Sequence, residues 1–149
     1  MGSEERAAVD RVLRSGIIAQ GPEVANFEEE FANMCGVKYA VATSNGTTAG
    51  HLAMLSNQIG PGDEVITTPF TFFATASVIM MAGAKPVFVD IEENGFCLDP
   101  VKVEEAITGD TKAIQPVHLY GELADMPSFQ AICEKHNLAL IEDSAQAHS

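Results

Sequence analysis

The feature that most constrains this chain is an alternation of short apolar runs with helix-like segments. The five runs "KYAVAT" (38–43), "EVITTP" (64–69), "KPVFVD" (85–90), "KAIQPVH" (112–118) and "LALIED" (138–143) are β-rich and lack polar alternation. Runs of that kind belong to strands buried on both faces, and helical crossovers between them make neighbouring strands parallel. The spacing predicts helices over 47–58 and 71–82, then over 100–107 behind an Asp99 cap and over 126–136 behind Asp125. The implied fold class is α/β, a three-layer α/β/α sandwich around a mostly parallel sheet. Two amphipathic helices are expected earlier, within residues 4–35. Val9, Val12 and Leu13 share the face of one, stopped by Gly16. Val24, Phe27, Phe31, Met34 and Cys35 line the other, which starts at Pro22 and stops at Gly36. The chain shows no internal repeat, low-complexity tract or linker to a second domain.

Charge narrows the partners. Eight Lys and Arg against 21 Asp and Glu give a formal net charge of −13, a field that repels nucleic acid and anionic lipid. Neither nucleic acid nor membrane is expected as a partner. Cys35, Cys97 and Cys133 are odd in number and far apart, so neither a disulfide framework nor a paired-cysteine metal site is indicated. The start "MGSEERAAVD" has no leader pattern, and no apolar run nears the roughly 18 residues of a membrane span. A soluble, cytoplasmic protein is expected.

In an open α/β sheet, ligands gather outside the carboxyl ends of the strands. The residues that follow the runs are Ser44-Asn45-Gly46-Thr47-Thr48, Pro69-Phe70-Thr71-Phe72, His118-Leu119-Tyr120-Gly121 and Asp143-Ser144-Ala145-Gln146. "SNGTTAG" opens a helix, where unpaired backbone N–H groups and the helix dipole suit an anion such as phosphate. Taken alone it reads more readily as a capped helix start, Phe72 as core and Asp143 as a solvated or capping acid, and His118 at least as readily as a structural histidine.

The familiar phosphate and catalytic motifs are absent. Gly60-Pro61-Gly62 precedes a strand and lacks the third glycine of a dinucleotide loop, and there is no GxxxxGK[ST], GxSxG, HExxH or other metal motif. What remains is an anion cradle, aromatics and a carboxylate without an evident nucleophile or base. Such a set suits a cofactor that carries the chemistry itself. Pyridoxal 5′-phosphate (PLP) has matching needs: a helix N-terminus for its phosphate, a ring to stack upon, and an anion, Asp143, for its pyridine nitrogen. Gln146 is placed to bond the ring hydroxyl oxygen.

"SGIIAQGPEVANFEEEFA", "SNGTTAG", "GPGDEVITTPFTFFATASVI", "GAKPVFVDI", "PVHLYGELADM" and "IEDSAQAH" occur in this order along nearly the whole chain. Together they resemble the N-terminal half of the DegT/StrS family of PLP-dependent sugar aminotransferases, which are similar to other fold-type-I aminotransferases. The resemblance implies that residues 1–149 are part of the large PLP-binding domain. It implies that Gly46, Thr47 and Thr48 hold the phosphate, Phe72 stacks on the ring, Asp143 meets the ring nitrogen and Gln146 the ring oxygen. Gln20 and His118 are weaker candidates for substrate contact.

The activity implied is transfer of an amino group, usually from glutamate, to a keto nucleotide sugar in deoxyaminosugar biosynthesis, by a homodimer with shared sites. Some relatives use the scaffold for dehydration. The family's Schiff-base lysine lies beyond Asp-x-x-Gln, in a segment expected past Ser149. None of Lys38, Lys85, Lys102, Lys112 and Lys135 follows Asp143. The expectation is therefore a fragment without its own catalytic residue, inactive alone. The rival is a non-catalytic module that binds a phosphate ligand or dimerises through stripes such as "VIMMAG".

Overall fold

The computed structural model describes residues 1–148. Ser149, the residue past which the Schiff-base lysine is expected, lies outside the described residues, so the fold does not bear on that expectation. The chain divides into two compact units, one spanning Met1–Thr43 and the other beginning at Ser44.

The first unit holds α1 (Ser3–Ser15) and α2 (Pro22–Cys35). Glu4 and Glu5 sit in the first turn of α1 and Arg14 in its last, the polarity a helix dipole favours; Arg14 also pairs with Asp10 one turn back at 2.6 Å. Each helix stops at a glycine in the left-handed region, Gly16 at φ 72° and Gly36 at φ 66°, where a side chain would be strained. Only Ala32 is buried in these two helices, and Val9, Leu13, Phe27 and Met34 are exposed. The run 38–43, expected as a strand, belongs to no ladder among the described residues. A strand exists only through a hydrogen-bonded neighbour, and here the Ala42 N–H is given to the Glu28 carboxylate instead, at 2.8 Å.

In the second unit the order is α3 (Gly46–Ser56), β1 (Glu64–Thr67), α4 (Phe73–Met81), β2 (Lys85–Phe88), α5 (Pro100–Ala106), β3 (Thr111–Ile114), α6 (Met126–His136) and β4 (Ala139–Leu140). The four strands are all parallel in the order β2-β1-β3-β4. β1 is central and buried along its whole length, its polar ends Glu64 and Thr67 included. β2 lies at an edge, the place where Pro86 can forgo its missing N–H. Pro116 likewise cuts β3 short, although the parallel pairing resumes with Asp143 N–H to Pro116 O at 3.0 Å and His118 N–H to Asp143 O at 3.1 Å.

Alternation along β1 and β3 sends successive side chains to opposite faces. Ile66 and Ile114 pack with Leu98, Val103, Phe129 and Ile132 on the side of α5 and α6. Val65 and Ala113 pack with Met54, Val78 and Ile79 on the side of α3 and α4. Two cores on one sheet make the three-layer sandwich that the sequence implies.

The amino-terminal edge of the sheet is pinned by Glu64. It receives Lys85 Nζ at 2.7 Å and the Thr108 hydroxyl at 2.6 Å. The Lys85 hydrogen bond foremost, then that from Thr108, holds the Glu64 carboxyl below its ordinary value against the opposing effect of burial. A lowered folded value means that this stabilisation is present above the unfolded value, about 4.3. It is lost as pH falls through the lowered one. Glu64→Gln should therefore denature at lower urea than the parent at pH 7, with the gap narrowing towards pH 3. A gap independent of pH would refute the assignment.

Candidate functional site

The parallel topology brings the residues that follow β1, β3 and β4, and the starts of α3 and α4, to one edge of the sheet. α4 carries the chain from the carboxyl end of β1 back to the start of β2, so its first turn stands at that edge. α3 feeds β1 through the Gly60–Asp63 turn and packs along α4, where a Cβ on Gly50 would touch Val78 at 3.3 Å. Its N-terminus therefore points the same way.

Asp143 is fixed in backbone and side chain alike. Its main chain is clamped between Pro116 and His118. Its Oδ2 accepts from the Thr75 hydroxyl at 3.0 Å and its Oδ1 from the Ala145 N–H at 3.2 Å. Thr75 is buried in the first turn of α4, and its hydroxyl also meets that of Thr71 at 3.1 Å. The carboxylate thus stands at the positive end of a helix, half-buried and held by donors on both oxygens.

Gln146 is oriented by a single bond. Tyr120 N–H donates to its Oε1 at 2.7 Å, which leaves the Nε2 donor without a partner among the described residues. The turn that offers this N–H is strained, with Tyr120 at φ 57° followed by Gly121 at φ 85°. His118 is committed elsewhere. Its Nδ1 accepts the Ala124 N–H at 3.1 Å, so Nε2 carries the proton and faces Glu142 Oε2 at 3.1 Å. With its side chain 3% exposed and both nitrogens engaged, His118 braces the turn from 118 to 124 against the end of β4 and has no ring nitrogen left for a substrate.

At the start of α3 the capping residue is Asn45, whose Oδ1 accepts the Thr48 N–H at 2.9 Å and the Thr48 hydroxyl at 3.1 Å. The Ser44 hydroxyl lies 3.3 Å from that of Thr48. The N–H groups of Gly46 and Thr47 have no acceptor among the described residues, an arrangement suited to an anion. Thr48 contributes through the cap, because its own N–H is taken. Phe72, the residue before α4, is 73% exposed, so its ring is a free surface and not core. Gln20 lies in the first unit, exposed, with a left-handed φ of 49°.

Three of the lysines of the second unit are engaged in ion pairs. Lys85 pairs with Glu64, Lys102 with Asp99 and Lys135 with Glu104. Lys112 sits on β3 next to its amino end. No group of three or more His, Cys, Asp or Glu among the described residues could hold a metal ion, and no described helix is long and apolar enough to cross a membrane. The sequence places Thr71 and Tyr120 after strands without assigning them a role, and does not single out Thr75. Two threonines four apart across a helix start were the available signal for Thr71 and Thr75.

The residues fit PLP by the chemistry of their donor set. Asp143 presents a carboxylate acceptor for a protonated ring nitrogen, Gln146 retains an amide donor for a ring oxygen, and the start of α3 offers N–H groups for a phosphate.

The second unit is thus a parallel α/β fold that carries a free helix start, an exposed aromatic and a braced carboxylate at the carboxyl edge of its sheet. The sequence matches the DegT/DnrJ/EryC1/StrS aminotransferase family over residues 1–149, and the chain belongs to that family. It is 48% identical to the spore coat polysaccharide biosynthesis protein SpsC of Bacillus subtilis, over 99% of this chain and 38% of that protein. It is 47% identical to the UDP-2-acetamido-2-deoxy-3-oxo-D-glucuronate aminotransferase of Pseudomonas aeruginosa, over 95% of this chain and 39% of that enzyme. Among solved structures, DesV of S. venezuelae superposes with a TM-score of 0.96 at 45% identity, over 98% of this chain and 39% of that one. NtdA of Bacillus subtilis, solved with bound cofactor PMP, gives a TM-score of 0.94 at 38% identity, over 99% of this chain and 35% of that one. The chain thus spans between a third and two-fifths of the length of these proteins.

Proposed function

We propose that the protein carrying this chain is a PLP-dependent aminotransferase. It moves an amino group, with glutamate as donor, to the keto carbon of a nucleotide-linked sugar in deoxyaminosugar biosynthesis. Family membership supports the reaction class, and the name of the Pseudomonas relative, an aminotransferase of a UDP-linked keto sugar, supports the substrate class. The observation that carries the reading is the pairing at the end of β4: Asp143 held as an acceptor by Thr75 and Ala145, and Gln146 held as a donor by Tyr120.

PLP supplies an electron sink for the charge that develops when a proton leaves a substrate carbon. The residues of this chain do the holding. The Gly46 and Thr47 amides would hold the phosphate, Phe72 would stack on the ring, Asp143 would hold the proton on the ring nitrogen, and Gln146 would bond the ring oxygen. None of the lysines within residues 1–149 follows Asp143, where the family's Schiff-base lysine is expected, so these residues would contribute binding and orientation but not that base, and alone they should not turn over. In this reading they are the first part of the large cofactor-binding domain of a cytoplasmic homodimer, and the lysine that completes the site follows Ser149.

The test is amino transfer by the complete gene product supplied with PLP, glutamate and a keto nucleotide sugar. One 2-oxoglutarate should appear for each aminosugar formed. Conversion of the sugar without loss of amino nitrogen from glutamate would contradict the reading.

A further inference from the structure

We propose that Thr71 and Thr75 form a one-way hydrogen-bond relay that positions the Asp143 carboxylate as an acceptor for the ring nitrogen of the cofactor. The argument rests on proton counting. A threonine hydroxyl has one hydrogen and two lone pairs. The Thr75 hydroxyl donates its hydrogen to Asp143 Oδ2 at 3.0 Å. It can then only accept from Thr71, 3.1 Å away, so Thr71 must be the donor of that second bond. Every hydrogen in the chain therefore points towards Asp143, and the Ala145 N–H at 3.2 Å points at the other oxygen. Each donor in series polarises the next, and both carboxylate oxygens are held in place while keeping lone pairs free to accept.

The placement of the relay supports the role. Thr75 is 2% exposed and Thr71 half-buried, so water does not compete freely for these bonds. Thr75 stands in the first turn of α4, and Asp143 lies 68 residues further along the chain; the bond ties the helix start to the end of β4. Glu142, the acid next to Asp143, is paired with His118. Thr71 and Thr75 are positioning residues, acting on the cofactor through Asp143.

The inference rests on the PLP reading, and the experiment separates the two. The complete gene product is loaded with PLP labelled with nitrogen-15 in the ring. Its ring-nitrogen resonance and PLP dissociation constant are then measured for the parent and for Thr75→Val, Thr75→Ser, Thr71→Val and Asp143→Ala. The relay predicts that T75V moves the resonance towards that of a neutral pyridine and weakens PLP binding about tenfold, the scale of one charge-assisted bond. T75S should restore both quantities, and T71V should move the resonance in the same direction by less.

If T75V leaves the resonance unchanged, or T75S fails as badly as T75V, the relay is wrong while the PLP reading stands. If Asp143→Ala keeps the ring nitrogen protonated, the relay is wrong and Asp143 loses its role while PLP binding stands; if the parent does not bind PLP, both are overturned.

Discussion

Asp143→Ala in the complete enzyme is expected to lower turnover by on the order of 10²–10³-fold, the scale seen when a preorganised electrostatic contact at a reacting centre is removed. The chain should still fold. The bonds that seat residue 143 in the sheet are made by its backbone, to Pro116 and from His118, and alanine keeps both. What disappears is the anion opposite the ring nitrogen, together with the acceptor for Thr75 and Ala145. Asp143→Asn should be nearly as inactive, because an amide keeps the shape but brings no charge to hold a proton on the ring. Steady-state rates with a saturating amino donor, beside a thermal melt, check the prediction. Turnover within a few fold of the parent in a folded Asp143→Ala protein would remove Asp143 from the mechanism.

How much of this was legible in the sequence follows from how local each signal is. Asp99 and Asp125 announce their helices because a cap bonds within its own turn, and the structure has Asp99 Oδ1 on Val101 N–H at 2.9 Å and Asp125 Oδ1 on Ser128 N–H at 3.2 Å. The parallel sheet was legible from β1 and β3, whose side chains must be apolar on both faces. Segment 38–43 carries the same composition, yet a strand needs a partner, and composition does not say whether one is present. Asp143 and Gln146 were found from their position after the last run, but their partners were not. Thr75 bonds Asp143 across 68 residues and Tyr120 bonds Gln146 across 26, separations that no pattern reports. The sequence also left His118 open to a ligand. Only the two bonds to its ring nitrogens assign it to the brace.

The second large effect concerns the phosphate. At the start of α3, the Gly46 and Thr47 N–H groups are without protein acceptors among the described residues, while Asn45 satisfies Thr48 and so fixes the turn around them. An anion there gains two charge-assisted hydrogen bonds and the helix dipole. At roughly 1.5–3 kcal/mol for each such bond, loss of the phosphoryl group should weaken binding by a hundredfold or more. The central claim is that one small molecule is gripped by its phosphate at α3 and by its ring nitrogen at Asp143. Calorimetric titration of the complete gene product with PLP and with pyridoxal, which has the same ring and no phosphate, tests it most directly. The account predicts that PLP binds at least a hundredfold more tightly than pyridoxal, with inorganic phosphate competing. Equal affinity for the two, or no binding of PLP, would contradict it.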